Sequence, residues 1–345
     1  MSLCKNLIKT AVLLTPLAFA TPATADCGKV TVADMNWASA EFAAYLDKFI
    51  LENGYGCDVE IIPGDTVPTL TSMMEKGQPD IAPELWKNAN RVVIAQGVAA
   101  GKLIVAADIL LDGGEEGWWL PDYVLEQHPE LTTVDAVLAR PDLFPHPEDD
   151  SKGAFVTCPS GWGCQLANEN LSRANEFAKH DFELVDPGSA AGLDGSIAKA
   201  YEREENWFGY YWAPTAILGK YPMVKLDFGV PYDAENWDNC IVKEDCPNPK
   251  RSSWTKSEVS TLVHGEFAKT APQGVMDYLS KRAYKNTMLN GVLAWMANEQ
   301  ASGEDGAEYF LENHEALWTQ WVPAAVADKI KAALKADLIR ELDPP

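Results

Sequence analysis

Apolar and polar positions along this chain repeat at two periods, and the switches between them mark out its elements. KVTVADM, residues 29–35, alternates as a strand does, and SAEFAAYLDKFILENGYG then spaces its apolar residues three and four apart as a helix does. Ser39 is the expected N-cap of that helix, and Gly54 or Gly56 its stop. CDVEIIPGD reads as a β-rich run, and TVPTLTSMMEKGQPD as a second helix closing at Gly77. Residues 80–82 (DIA) form a brief predicted strand that runs into Pro83-Glu84-Leu85-Trp86. WKNANRVVIAQGVAAGK is helical and KLIVAADIL extended. GEEGWWLPDY, residues 114–123, reads as a turn or crossover, because Gly117 and Pro121 punctuate it.

The second section continues with a short helix (TTVDAVLARPDLF), a polar loop (PHPEDDSKG) and a strand (GAFVTC). The helix QLANENLSRANEFAKH, the strand FELVDPG and a helix from about Gly192 to Glu205 follow. NWFGYYWAP is a strand ending in aromatics, VKLDFGVP a further strand, and the remainder, beginning with SEVSTLVHGEF, is predicted helical. Strands alternating with helices predict an α/β fold with parallel sheets.

The first 25 residues stand outside this pattern. Lys5 and Lys9 precede the apolar run AVLLTPLAFA, and Ala23-Thr24-Ala25 forms an A-x-A site, which together predict a cleaved secretory signal peptide and export to the periplasm. Thr24-Ala25-Asp26 before Cys27 is no lipobox, so a lipid anchor is not expected. Six cysteines remain after cleavage, and an even number in an oxidising compartment favours disulfides. Nearest-neighbour pairing, Cys27–Cys57, Cys158–Cys164 and Cys240–Cys246, is the simplest of fifteen connectivities. Zinc is disfavoured by the lack of a CxxC and of clustered histidines.

Charge narrows the partners. Lys and Arg number 28 against 51 Asp and Glu, net −23, and losing Lys5 and Lys9 makes it −25. Such a chain repels nucleic acid and anionic lipid, and its field favours neutral or cationic ligands. Acidic runs at Glu304-Asp305 and Glu148-Asp149-Asp150 match no EF-hand loop and leave room only for a structural calcium ion. No cofactor is expected.

The aromatic content carries the chemistry. Twelve tryptophans stand against eleven Phe and eleven Tyr, an excess of what is normally the rarest of the three. Trp37, Trp86, Trp119, Trp162 and Trp212 all fall at element ends or at the crossover, where an open α/β sheet gathers its ligands. Trp207, Trp237, Trp254, Trp295, Trp318 and Trp321 are assigned to packing or surface patches. Converging indole faces suit a methylated ammonium group, which donates no hydrogen bonds but is drawn to π faces by about 0.5–2 kcal/mol each. Glu84 and Glu116 are candidate counter-charges, and Glu116 could also bond a protonated N-oxide. Backbone N–H groups at Ser160–Gly163 are candidate donors to a ligand oxygen. Between Trp118 and Trp119, the reading puts Trp119 on the ligand with Trp118 packed behind it.

In this order, Asn36-Trp37 after the first strand, PDIAPELW, GWWLPDY, GWGC and YYWAPTAILGK resemble the periplasmic substrate-binding proteins of ABC importers for glycine betaine, choline and related osmolytes. Within that family the resemblance is greatest to the trimethylamine N-oxide binders, with dimethylsulfoniopropionate binders much alike. It covers most of the mature chain. It implies the type II periplasmic-binding-protein fold, with residues 26–115 plus 218–345 as one lobe and 116–217 as the other, closing on the ligand about a hinge. It further implies that Trp37, Trp86, Trp119 and Trp212 build an aromatic cage to which Trp162 adds a contact from the second lobe. The partner is then a membrane permease, the protein is a monomer, and there is no catalytic residue. Choline binders of the family place an aspartate where this chain has Ser39, and often Tyr where it has Trp119, which favours a smaller ligand.

The rival reading is a secreted carbohydrate-binding protein or glycoside hydrolase, since sugars also stack on indoles. A hydrolase needs two carboxylates across a cleft, and the adjacent Glu115 and Glu116 diverge. Nucleophilic hydrolysis is weaker still, with no G-x-S-x-G and no histidine among 128, 146, 180, 264 and 314 at a suitable strand end.

Overall fold

A computed structural model describes residues 27–342, with side chains described as far as residue 336; the signal-peptide expectation lies outside these residues. Two sheets divide the chain. The first contains β1 (Lys29–Met35), β2 (Asp58–Gly64), β3 (Ile81–Trp86), β4 (Leu103–Asp108) and β11 (Val259–His264), in the order β2-β1-β3-β11-β4. β1 runs parallel to both β2 and β3, whereas β11 is antiparallel to β3 and β4. β1 is buried on both faces from Val30 to Ala33, and its polar Thr31 is satisfied by Asp80, which accepts from the Thr31 N–H and hydroxyl at 2.8 Å.

The second sheet contains β5 (Glu115–Pro121), β6 (Pro145–His146), β7 (Asp149–Val156), β9 (Gly209–Ala213) and β10 (Met223–Lys225), in the order β10-β5-β9-β7-β6, with β8 (Phe182–Val185) beside β7. Here the sequence reading is corrected. GEEGWWLP is an interior strand between β9 and β10, because Gly117 pairs with Tyr211 and Pro121 lies at the strand's last position. SEVSTLVH is likewise a strand, β11: Val259, Thr261 and Val263 are β-branched, and the segment is enclosed between β3 and β4. The polar loop PHPEDDSKG pairs with itself as β6 and β7.

The helix α1 (Ala38–Ile50) starts one residue before the expected cap. Trp37 is its N-cap, in extended conformation with φ −138° and ψ 150°, and Ser39 is buried inside the first turn with its hydroxyl taken by Glu84. A wider turn, Leu51–Tyr55, carries the chain to Gly56, whose φ of +74° ends it as a glycine stop should. All three expected disulfides are present.

Two crossings join the sheets side by side, with Gly114 and Ser257 exchanging backbone hydrogen bonds at 2.8 Å. The expected return to the first lobe at residue 218 falls later, near Ser257. β10 pairs with β5, the Leu226 N–H donates to Trp118 O at 2.8 Å, and Phe228 packs on Trp118 with ring centroids 4.7 Å apart. Beneath the first sheet, Arg282 and Asp47 form an ion pair at 2.6 Å with both side chains fully buried, and Tyr278 donates to Asp47 at 2.6 Å.

Candidate functional site

Between the two sheets lies a cavity lined by Trp37, Thr66, Trp86, Ala89, Glu116, Trp162, Gly163, Cys164, Tyr210 and Trp212, with about 370 Å³ of empty space including its mouth. The first four come from the first lobe and the rest from the second, so ligand here would touch both. Five of the seven residues singled out from sequence therefore meet at one place: Trp37, Trp86, Trp162, Trp212 and Glu116.

Three of the four indoles are aimed by a hydrogen bond. Trp37 and Trp86 donate their ring N–H to the same oxygen, Glu84 Oε1, at 2.8 and 3.0 Å. Trp162 crosses from its own lobe to donate to Asn36 Oδ1 at 2.8 Å. With those three N–H groups tied outside the cavity, it is ring surface that faces in. Trp162 sits edge-on to Trp37 (5.4 Å, 69°) and to Trp212 (5.0 Å, 81°), so the walls meet as the sides of a box. The loop carrying Trp162 is closed by the Cys158–Cys164 bridge and is held to the first lobe by the Val67 N–H donating to Gly161 O at 3.2 Å.

Trp119 and Glu84 do not line the cavity. Alternation along β5 puts Glu116 and Trp118 on one face and Trp119 on the other, where its N–H donates to Tyr211 O at 3.0 Å. Trp118 is fully buried among Phe155, Phe177, Phe208 and Phe228, its N–H on Asn168. The pair is thus core on both faces of the sheet. Glu84 stands behind Trp37 and Trp86, fully buried. Tyr210 was missed from sequence, although its position two residues before Trp212 on a strand puts both on one face.

Glu116 is the carboxyl group inside. It accepts from Tyr210 OH at 2.9 Å and from Asn88 Nδ2 at 3.0 Å. Burial pushes its pKa up to about 7, and those hydrogen bonds restrain the rise. Neither lysine nor arginine lines the cavity among the described residues. Of the candidate backbone donors, Gly161 N already bonds Gln165 Oε1 and Trp162 N bonds Pro159 O; Gly163 and Cys164, opening the helix Cys164–Ala174, line the cavity itself. No group of three or more His, Cys, Asp or Glu among the described residues is placed to hold a metal ion.

Gly114 keeps one wall in place. A Cβ there would lie 2.2 Å from the Trp86 ring, far inside contact distance. Gly114→Ala is therefore expected to displace Trp86 and to weaken binding of a ligand that packs on its ring by about tenfold. Calorimetry on the variant checks it; unchanged affinity would mean that Trp86 is no wall of the site.

Residues 28–313 match the family described as the substrate-binding domain of ABC-type glycine betaine transport systems. Among solved structures, the chain is similar to a glycine betaine/L-proline-binding protein of Borrelia burgdorferi, at 17% identity and TM-score 0.68 over 88% of this chain and 99% of that one. A choline-binding protein in complex with choline matches at 18% identity and TM-score 0.67 over 89% and 98%. A lactococcal protein closed on glycine betaine matches at 17% and 0.65 over 86% and 100%. No curated protein sequence matches. At these identities the structures establish the fold, the two-lobed α/β architecture of type II periplasmic binding proteins.

Proposed function

We propose, for a chain that belongs to the family of substrate-binding domains of ABC-type glycine betaine transport systems, that its cavity captures a small methylated ammonium osmolyte for delivery to a membrane permease. Trimethylamine N-oxide is the first choice, ahead of glycine betaine, choline and dimethylsulfoniopropionate. The observation that carries this reading is a box of four indoles with one carboxyl group and no cationic side chain. Methylated ammonium offers its positive, apolar surface to ring faces and asks for no acceptor. Glu116 supplies either a counter-charge or, protonated, a donor to an N-oxide oxygen. A ligand carboxylate would meet Glu116 without a cation to offset it, which counts against glycine betaine and the sulfonium analogue.

A sugar is served less well. Its hydroxyls need many polar partners, whereas the lining offers Thr66, Glu116 and Tyr210, and the edge-to-face indoles leave no flat platform for a pyranose ring. Export to the periplasm follows from the leader expected at residues 1–25, and no helix among the described residues is long and apolar enough to cross a membrane.

The test is a thermal-shift panel of trimethylamine N-oxide, glycine betaine, choline, dimethylsulfoniopropionate and simple sugars. A ligand at a hundred times its Kd stabilises the folded protein by about 2.7 kcal/mol. Trimethylamine N-oxide is expected to raise the melting temperature most. A panel in which sugars alone shift it would replace this reading with the carbohydrate one.

A further inference from the structure

The placement of Glu84 gives it a different task from the counter-charge its position in the sequence suggested. Its Oε1 accepts three hydrogen bonds at once, from Trp37 Nε1 (2.8 Å), Ser39 Oγ (2.8 Å) and Trp86 Nε1 (3.0 Å). Three donors converging on one oxygen suit a full negative charge, because hydrogen bonds to an ionised acceptor are the strong ones. The carboxyl group is fully buried, which raises its pKa above the ordinary value, and the hydrogen bonds from Trp37, Trp86 and Ser39 oppose that rise. Arg282, itself fully buried, braces the strand that carries Glu84. Arg282 is anchored to Asp47 and to Thr261 Oγ1 at 2.9 Å, and Thr261 donates to the carbonyl of Pro83, the residue before Glu84.

We propose that Glu84 is a positioning residue, a buried carboxyl group that holds Trp37 and Trp86 from behind in the orientation the ligand needs. The proposal rests on reading the cavity as a methylammonium cage. Its physical content is preorganisation. A free indole has rotamers to lose when a ligand arrives, and it can turn its N–H, useless to a quaternary ammonium, towards the cavity. Tying two indoles to one fixed oxygen removes both costs before binding, so their release would weaken binding about tenfold or more.

The experiment compares Glu84→Met and Glu84→Gln with the wild type, using trimethylamine N-oxide and tetramethylammonium as calorimetric probes. Near-UV circular dichroism of the ligand-free proteins reports the indole environment. Glu84→Met, of similar volume but with no acceptor, is expected to bind at least about tenfold more weakly and to change the near-UV signal while its far-UV spectrum stays native. Glu84→Gln retains an acceptor oxygen and is expected to recover affinity to within about threefold of wild type. A Met variant with wild-type affinity and an unaltered indole signal would overturn the proposal, reducing Glu84 to a stability element. In parallel, indole N–H exchange in ligand-free wild type decides the matter even if Glu84→Met does not fold. Protected Trp37 and Trp86 N–H groups are expected; exchange as fast as that of exposed indoles overturns it. A wild type that binds neither probe but protects those two groups would fail the cage reading and leave the positioning role standing.

Discussion

Replacing Trp212 by alanine is expected to weaken binding of the methylated-ammonium ligand by about a hundredfold. Trp212 is 6% exposed, lines the cavity, stands edge-on to Trp162 at 5.0 Å and lies parallel to Tyr210 at 6.4 Å. In the proposed cage its loss removes one cation–π contact, about 0.5–2 kcal/mol, and apolar contact with the ligand's methyls on the order of 1–2 kcal/mol. Together these come to about 3 kcal/mol, or two powers of ten in Kd. Alanine also leaves a void costing about 3–5 kcal/mol of stability, so affinity is measured by calorimetry on protein whose far-UV spectrum is native. Trp212→Phe, which keeps a smaller π face, is expected within about tenfold of wild type. An alanine variant that binds as wild type does would take Trp212 out of the site.

The second large effect is a pH dependence whose sign reports the ligand's head group. Burial pushes the Glu116 pKa up to about 7. A permanent cation such as choline needs the carboxylate, so its affinity rises with pH up to about 7 and falls up to tenfold per unit below. An N-oxide oxygen is an acceptor and needs the protonated carboxyl, so its affinity is greatest below about 7 and declines as pH rises. Glu116→Gln, always neutral and always a donor, is expected to flatten both profiles, keeping the N-oxide and losing the cation. Calorimetry from pH 5 to 8.5 separates the cases; flat wild-type profiles for both ligands would mean that Glu116 does not meet the head group.

The same shift has a consequence for the ligand-free protein. The folded pKa lies above the ordinary value of 4.5, so the native state holds a proton that the unfolded chain releases between 4.5 and about 7. Stability from Glu116 is therefore fully present below 4.5 and is lost as pH rises through about 7, on the order of 3 kcal/mol in all. Denaturant midpoints of wild type and Glu116→Gln should diverge over that window, with the variant showing the smaller fall.

Much of the architecture was legible in one dimension. The period of KVTVADM and the helix after it, the glycine stop at Gly56, and the nearest-neighbour pairing of six cysteines all rest on local chemistry, because backbone sterics and short loops decide them. The motifs around Trp37, Trp86, Trp162 and Trp212 likewise pointed to one site, since strand ends in an α/β sheet share a side. Three things were illegible for a common reason: each depends on what lies across the sheet. SEVSTLVH became a strand because β3 and β4 stand on either side of it. GEEGWWLP did so because β9 and β10 flank it, and that pairing, through simple alternation, sent Trp119 to the face opposite Glu116 and left Tyr210 to take its place in the cavity. Glu84 was recognisable as an acid beside a tryptophan, but only the fold brings Trp37, forty-seven residues away, onto the same oxygen. The sequence by itself determined most of the elements, the disulfide pairing and the gathering of tryptophans at element ends, all set by neighbours along the chain. Which rings line the cavity, which acid lines it and which acid stands behind were decided by the tertiary structure, because burial and hydrogen-bond partners come from strands distant in sequence.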